Sequence, residues 1–270
     1  STANGHVLDV AAGRKASYGD LASLAARESV PLRPQLKSPD RFKLIGRSVG
    51  RTDSPDKSSG AAIYGLDVRQ SGMLFGVVSR PPTLGATLRR FDATRALAMA
   101  GVRDVFGMDA GVAIVAASTH QALAALSALE VDWDSGADAT TSSRAIQLSL
   151  QRVAGSGPAA LALRRGDAER ALAKARAILE SSYTTPFLAH ATLEPMNCVA
   201  SVSQGRCEVW APTQAPNDAR AMAAAVAGLP IERVRVHTTA IGGGFGRRIA
   251  SDFVAEAVAM SLRVGAPVQA

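Results

Sequence analysis

The feature that most constrains the fold is a glycine-rich segment at residues 241–246, IGGGFG, which two arginines follow. The residues before it, 233–239, have the alternation of a strand, and residues 251–263 have the pattern of a helix. The glycines therefore form a tight connection from strand to helix. Glycine permits positive φ and leaves backbone N–H groups uncovered, so a ligand can approach the chain closely.

The spacing of these glycines excludes the two common phosphate-binding loops. A Walker A loop needs glycine five positions after Gly242, and the dinucleotide fingerprint needs glycine three positions after Gly244. Both positions are Arg247. Two interpretations stay open: Phe245 lines a ligand pocket, or the segment is a β-bulge with a core phenylalanine.

Hydrophobic periodicity along the chain predicts an α+β fold. We expect an N-terminal helix, capped by Ser17, and an extended linker over residues 1–54, an α/β domain over 55–135, connecting helices over 136–180, and a further domain from 181 to 270. Strands are predicted at 73–81, 102–108, 111–118, 130–134, 183–190, 197–203, 206–211 and 233–239. Helices are predicted at 93–100, 119–129, 143–154, 166–182, 217–228 and 251–263.

Charge and composition limit the possible partners. The net charge is +7, but the basic residues are dispersed and no aromatic residues interleave with them, so we expect no nucleic-acid partner. No run of 18 apolar residues is present, so no membrane-spanning segment is expected. Cys198 and Cys207 are the two cysteines, and buried free thiols are favoured over a disulfide.

Four stretches carry a resemblance to a known family. They are GGGFGRR (242–248), LIGRSVGRTDSPDKSSGAAIYGLDV (44–68), AHATLEPMNCVASV (189–202) and CEVWAPTQAP (207–216). In this order they resemble the large subunits of the molybdenum hydroxylases, the xanthine dehydrogenase and aldehyde oxidase family, and in particular the beta subunits of the isoquinoline 1-oxidoreductase type. The resemblance implies a hammerhead-like domain at 55–135 and the first part of a molybdopterin-binding domain at 181–270.

The resemblance also implies roles for particular residues. Gln214 is similar to the side chain that donates a hydrogen bond to an oxo ligand of molybdenum. The segment Gly243, Gly244, Phe245, Gly246 resembles the loop whose backbone passes the cofactor. Arg247 and Arg248 are either solvated turn residues or partners of the cofactor's phosphates; adjacent side chains point apart, and Arg247 is the one that we assign to the cofactor. We place Phe245 and Ile249 in the substrate pocket, and Glu194 is either a buried charge of that pocket or a hydrogen-bonded residue at the end of a strand. No residue of this chain is expected to bind the metal directly.

One position departs from the purine-oxidising members of the family. They carry glutamate four residues after the loop phenylalanine, where this chain has Ile249. The expected substrate is therefore an N-heterocyclic aromatic compound or an aldehyde, hydroxylated with transfer of electrons to a separate small iron–sulfur subunit that holds 2Fe–2S clusters. The expected cofactor is molybdenum–molybdopterin in its cytosine dinucleotide form.

The chain is expected to be an internal fragment. The family's general-base glutamate would lie beyond Ala270, so no catalytic residue is assigned here and the fragment by itself is expected to be inactive. The compartment stays open between cytoplasm and periplasm. The alternative functions are a noncatalytic module without cofactor and, with less support, a basic nucleic-acid-binding protein.

Overall fold

The structure, a computed structural model, describes residues 2–136, 138–156 and 159–270. The chain divides into two compact units, Ser1–Pro55 and Asp56–Ala270. Within the described part, no helix is both long enough and apolar enough to cross a membrane.

The N-terminal unit is a small antiparallel sheet followed by one helix. Its strands are β1 Thr2–Ala3, β2 His6–Asp9 and β3 Arg14–Ser17. Helix α1, Tyr18–Ala25, begins as predicted after Ser17, whose hydroxyl accepts a hydrogen bond from the Asp20 backbone N–H at 3.0 Å. The Asp20 carboxylate accepts one from the Ser17 N–H in return, which completes a capping box. The three strands were not predicted, because they are short and mostly polar.

The second unit is built on a mixed sheet of seven strands in the order β11-β10-β9-β12-β4-β7-β6, with β5 and β8 paired separately. The strands are β4 Leu74–Ser79, β5 Thr87–Asp92, β6 Val102–Met108, β7 Gly111–Ala116, β8 Glu130–Asp134, β9 Val199–Ser203, β10 Arg206–Ala211, β11 Val234–Thr238 and β12 Val268–Gln269. After α1, the α-helices of the chain are α2 Ser54–Ser59, α3 Thr94–Leu97, α4 Thr119–Ala128, α5 Ser143–Ser156, α6 Ala168–Ala173, α7 Pro216–Ala227 and α8 Asp252–Val264.

Three apolar clusters hold helices against this sheet, and the third packs Met260 of α8 on Ala113, Val115 and Val268. Under α7 and α8, alternate residues of β10 are buried, since successive side chains of a strand point to opposite faces, and Val234 of β11 joins them. Members of this cluster are Cys207, Val209, Ala211, Ala219, Ala223, Val234, Phe253, Val254 and Val258. Under α3 and α4, the buried members are Ala96, Val105, Val112, Ile114, Ala116, Ala122 and Ala125. Both cysteines are buried free thiols, as expected.

The sheet continues without a break from the first predicted domain into the second. Strand β12 supplies the junction, because Val268 pairs antiparallel with Ala200 of β9 and parallel with Leu74 of β4. Strands β4, β6 and β7 of residues 55–135 therefore share one sheet with the strands of 181–270. The domain boundaries at 135 and 181 stay predictions.

Most predicted elements are present, and a mixed α and β architecture is confirmed. The helix predicted at 166–182 is wrong in length: α6 ends at Ala173, although Asp167 does cap it, accepting from the Arg170 N–H at 3.1 Å. The strand predicted at 183–190 is wrong, because these residues are exposed and have no strand to pair with among the described residues.

Strand β5 was not predicted. The register of β5 on β8 shifts between Leu88 and Arg90. This irregularity breaks the alternation by which a strand is recognised.

Candidate functional site

The glycine segment forms an irregular loop between β11 and α8. It leaves the sheet at Ala240, whose N–H donates to the Ile63 carbonyl at 2.9 Å. Gly243 and Gly246 have φ of +103° and +91°, in the range that favours glycine. Phe245 has φ +50°, which is uncommon for an aromatic residue and costs free energy. Strained backbone of this kind concentrates at functional sites.

Two of the glycines leave no space for a side chain. A Cβ on Gly242 would collide with the Cβ of Glu194, and one on Gly244 would lie 2.5 Å from Oε1 of Gln214. The backbone of the loop is therefore in direct contact with the side chains of Glu194 and Gln214.

Gln214, just before α7, is held against the loop at two points. Its Oε1 accepts from the Gly246 N–H at 3.1 Å, and its own backbone N–H donates to the Arg248 carbonyl at 3.1 Å. Among the residues that the structure describes, the Gln214 amide nitrogen Nε2 has no hydrogen-bond partner. The structure therefore brings Gln214, Gly244 and Gly246 together, and their role toward a cofactor stays a prediction.

Three successive backbone donors of the loop are also uncovered. Within the described ranges, the N–H groups of Gly243, Gly244 and Phe245 have no hydrogen-bond partner. Together with Nε2 of Gln214 they make a set of donors without acceptors, which suits oxo or phosphate oxygens of a ligand. No cluster of three His, Cys, Asp or Glu side chains among the described residues could hold a metal ion.

Glu194 lies behind the loop and is 7% exposed. Its Oε2 accepts from the Gly242 N–H at 2.8 Å and from Arg248 Nη2 at 3.3 Å. Its Oε1 accepts from Asn197 Nδ2 at 3.0 Å and from the Leu66 N–H at 3.4 Å. Both carboxylate oxygens are thus engaged by the protein, and a role of Glu194 toward a substrate stays a prediction.

Arg247 turns toward α8. Its Nη1 and Nη2 donate to the two carboxylate oxygens of Asp252 at 2.8 and 2.6 Å, the bidentate geometry that arginine favours. Burial raises the pKa of Asp252, but the hydrogen bonds and charge of Arg247 outweigh it and the net pKa is lowered. Phe245 and Ile249 lie outside, 73% and 53% exposed.

Arg248 is the residue that sequence reasoning did not select. It is fully buried, and its guanidinium donates to three backbone carbonyls, those of Gly243 at 2.8 Å, Glu194 at 2.7 Å and Pro195 at 3.3 Å. The sequence shows two consecutive arginines and predicts that they point apart, but no signal in it says which one is buried.

One large concavity lies away from this loop. A groove of about 780 Å³ lies along β10 and β11, and its lining includes Arg206, Glu208, Arg220 and Arg235. A smaller one of about 210 Å³ adjoins Arg247. We assign the site by the donors of the loop rather than by cavity size, because the larger groove is not lined by any residue of the loop.

Comparison with known families and proteins defines the class. Residues 153–270 match the molybdopterin cofactor-binding domain family. The chain is 30% identical, over 94% of its length, to a membrane-bound aldehyde dehydrogenase of Gluconacetobacter polyoxogenes whose name specifies pyrroloquinoline quinone. It is 31% identical over 87% to one subunit of the nicotinate dehydrogenase of Pseudomonas putida, and 28% identical over 87% to the beta subunit of the isoquinoline 1-oxidoreductase of Brevundimonas diminuta.

Solved structures agree at the level of the fold. Quinoline 2-oxidoreductase from Pseudomonas putida superposes with a TM-score of 0.64 at 20% identity, covering 84% of this chain and 34% of that one. Aldehyde oxidoreductase from Desulfovibrio gigas gives 0.59 at 18% identity, over 81% and 29%.

These matches confirm the resemblance drawn from the sequence: the chain is related to the large subunits of molybdenum hydroxylases. More particularly, its relatives include the isoquinoline 1-oxidoreductase beta chain that the sequence motifs indicated. The chain spans 35%, 20% and 31% of the lengths of the three curated relatives.

Proposed function

We propose that the whole protein of which this chain is a part is a molybdenum hydroxylase. It would hydroxylate an N-heterocyclic aromatic compound or an aldehyde and pass the electrons to a small iron–sulfur subunit with 2Fe–2S clusters. The names of the relatives include enzymes of both substrate classes. The names that specify subunits support a multi-subunit assembly.

The observation that carries this proposal is the row of uncovered donors beside Gln214. The N–H groups of Gly243, Gly244 and Phe245 and the Nε2 of Gln214 lack partners among the described residues. Fixed donors of this kind stabilise charge without reorganising during a reaction. We assign them to the oxygens of a molybdenum–molybdopterin group, in its cytosine dinucleotide form.

The cofactor, when bound, supplies the redox chemistry, and the residues of this chain orient it. Gln214 donates through Nε2 while Gly246 holds its Oε1, so the amide cannot rotate freely. Arg247 would donate to a phosphate through Nε. Within the described part of the chain, the ion pair with Asp252 uses Nη1 and Nη2 and leaves Nε without a partner.

The substrate would approach over Phe245 and Ile249. Both side chains are exposed beside the loop, and an apolar Ile249 suits an aromatic ring better than it suits a polar purine edge. Glu194, on the other side of the loop, would fix the position of Gly242 by accepting its N–H.

In this proposal residues 55–135 are the hammerhead-like domain, 136–180 the connection, and 181–270 the start of the molybdopterin-binding domain.

The test is elemental analysis of the full-length protein, purified with its partner subunits from a host that makes molybdenum cofactor. We expect about one molybdenum per large subunit and a nucleotide that chromatography identifies as cytidine monophosphate after acid release. Protein that binds no molybdenum, or that binds pyrroloquinoline quinone as the name of one relative would suggest, contradicts the proposal.

The substrate surface can be tested by Phe245→Ala. The side chain is 73% exposed, so its loss leaves the melting temperature within about 3 °C, while KM for an aromatic N-heterocycle rises about tenfold, as expected for one lost aromatic contact. Leu262→Ala, which truncates a half-exposed side chain on α8, is the matched control. An unchanged KM in the Phe245 variant would remove this residue from the substrate pocket.

A further inference from the structure

The buried Arg248 has contacts that a purely structural residue does not require. Its side chain is 0% exposed, although burying a guanidinium is costly unless its donors are all satisfied. Within the described residues its Nη1 has no partner at all. Desolvation lowers the pKa of Arg248, against the opposing effect of Glu194. An apolar side chain would fill this space at lower cost.

The guanidinium fixes the orientation of one peptide group of the loop. Arg248 Nε donates to the Gly243 carbonyl at 2.8 Å. A trans peptide is planar, and its C=O and N–H point in opposite directions. The Gly244 N–H, which belongs to the same peptide group, therefore points away from Arg248, and it is one of the uncovered donors.

The preceding peptide group is fixed in the same way by Glu194. The Glu194 backbone N–H donates to the Gly242 carbonyl at 3.0 Å, so the Gly243 N–H of that peptide group also points away. The Glu194 carboxylate accepts from the Gly242 N–H and from Arg248 Nη2. Arg248 Nη2 in turn donates to the Glu194 carbonyl at 2.7 Å. Arg248 and Glu194 are thus hydrogen-bonded to each other and to the carbonyl groups of Gly243 and Gly242, which belong to two consecutive peptide groups.

Arg248 also joins this arrangement to Gln214. Its backbone carbonyl accepts from the Gln214 N–H and from the Thr213 hydroxyl at 3.2 Å. The residue therefore links the two parts of the donor set, the loop and the glutamine.

We propose that Arg248 and Glu194 are a positioning pair that sets the direction of the Gly243 and Gly244 N–H groups toward the bound ligand. This inference rests on the proposed function for the identity of the ligand, molybdenum–molybdopterin. The orientation of the peptide groups follows from the contacts of the chain itself.

The experiment compares Arg248→Lys, Arg248→Met, Glu194→Gln and the double variant Arg248→Met/Glu194→Gln in the full-length protein with its partner subunits. Arg248→Met removes the guanidinium from the Glu194 carboxylate and from three backbone carbonyls, and Glu194→Gln removes the negative charge beside Arg248, so we expect each to lower the melting temperature and the double variant to recover part of the loss. Arg263→Met/Asp104→Asn is the matched control, because this pair also joins an arginine to a partly buried carboxylate (Asp104 26% exposed) and its hydrogen bond involves no residue of the loop.

The readouts that separate positioning from stability are molybdenum content, the Mo(V) electron paramagnetic resonance spectrum, and hydrogen exchange of the loop amides. In the double variant we expect the Gly242 N–H, whose acceptor is the Glu194 carboxylate, to exchange at least about tenfold faster, the factor for one hydrogen bond to a charged group. We also expect the double variant to have an altered Mo(V) signal. Arg248→Lys should keep the parental hydrogen exchange and the parental Mo(V) signal only in part, because lysine lacks the planar guanidinium fork. The control variant should change none of these.

The inference is overturned if the hydrogen exchange, the molybdenum content and the Mo(V) signal of the double variant all equal those of the parent protein. The proposed function would then still stand. If instead the parent protein binds no molybdenum, the proposed function fails, and hydrogen exchange alone decides the inference. Faster exchange in the double variant, absent from the control, then still shows that the pair orients the loop. Unchanged exchange refutes the inference.

Discussion

Gly242 and Gly244 have adjacent places in the loop but different neighbours. At Gly242 a methyl group would meet the Cβ of Glu194, which cannot move without its backbone, whereas at Gly244 it would meet the end of the flexible Gln214 side chain. The same substitution should therefore affect stability at one position and ligand geometry at the other.

Gly242→Ala is expected to lower the free energy of unfolding by about 1–3 kcal/mol, the usual cost of overpacking. Gly155→Ala in α5 is the control, because nothing lies within 4 Å of the added Cβ and alanine favours helix, so stability should stay equal or rise by up to about 1 kcal/mol. Thermal and urea unfolding measure both. Equal stability of the Gly242 variant and the parent would contradict the close contact with Glu194.

Cys198 and Cys207 should be unreactive in the folded protein. Burial raises the pKa of both thiols, that of Cys207 to about 11, so the nucleophilic thiolate is scarce at pH 8. We expect iodoacetamide to label neither cysteine at pH 8 until urea unfolds the chain, and labelling of Cys207 to increase as the pH rises toward 11. Because a thiol with a raised pKa keeps its proton in the folded state, stability should fall as the pH rises above the unfolded pKa of about 8.5. Rapid labelling of native protein at pH 8 would contradict this burial.

At this scale the sequence indicated Gln214 and the glycines, because the motifs around them are visible in one dimension, and their role toward a cofactor stays a prediction. The choice between Arg247 and Arg248 was not visible, since it depends on which arginine meets the carbonyls of a segment more than fifty residues away. Sequence reasoning favoured Arg247 for the cofactor, whereas the structure shows Arg248 as the buried residue that supports the loop.

At the scale of elements, long and regular patterns were predictive and short or irregular ones were not. Helices α4, α7 and α8 lie within a residue or two of their predicted bounds. Residues 183–190 contain β-favouring side chains but lack a neighbouring strand in the described chain, and a strand requires a partner for its backbone groups. Strand β5 has a partner but an irregular register. For residues 183–190 and for β5, the outcome depended on how strands pair with one another, which the local sequence does not encode.

One ion pair ties the end of β4 to α8. Arg80 donates to both oxygens of Glu256 at 2.6 and 2.7 Å, and the Glu256 side chain is 7% exposed. The hydrogen bonds that Arg80 donates to Glu256 raise the pKa of Arg80. Since Arg80 is 52% exposed, solvent screens part of the interaction.

Arg80→Met should therefore destabilise the protein by about 1–3 kcal/mol, less than a fully buried pair would give. Arg89→Met is the control, because Arg89 is 58% exposed and lies 3.7 Å from Asp132 and 3.4 Å from Asp134. Its loss should change stability by less than about 0.5 kcal/mol. Urea unfolding compares the two, and an equal effect would show that the burial of Glu256 has no energetic consequence.

At the scale of the whole molecule, the two units differ in how much they bury. Among residues 2–55 whose burial is described, none is buried, whereas the second unit holds all the described core residues. We expect removal of residues 1–50 to shift the main melting transition by less than about 4 °C, the shift that about 1 kcal/mol produces in a domain of this size.

The comparison variant for this deletion is Val268→Ala. Val268 is fully buried with Met260, Ala113 and Val115, so its truncation should cost about 2 kcal/mol. Calorimetry of the 270-residue chain measures both changes. A deletion that lowers the melting temperature more than the Val268 substitution would show that the N-terminal unit contributes to the core transition.

The central place of β12 has a consequence for the synthesis of the chain. Strand β4 pairs on one side with β7, which follows it closely, and on the other with β12, at the far end of the second unit. A ribosome adds about 5–20 residues per second, so β4 emerges roughly ten to forty seconds before Val268. Throughout that interval an apolar strand edge, LFGVVS, is open to other chains. We expect the nascent protein to need a chaperone during those seconds, and the pairing of β4 with β12 to be the step that releases it.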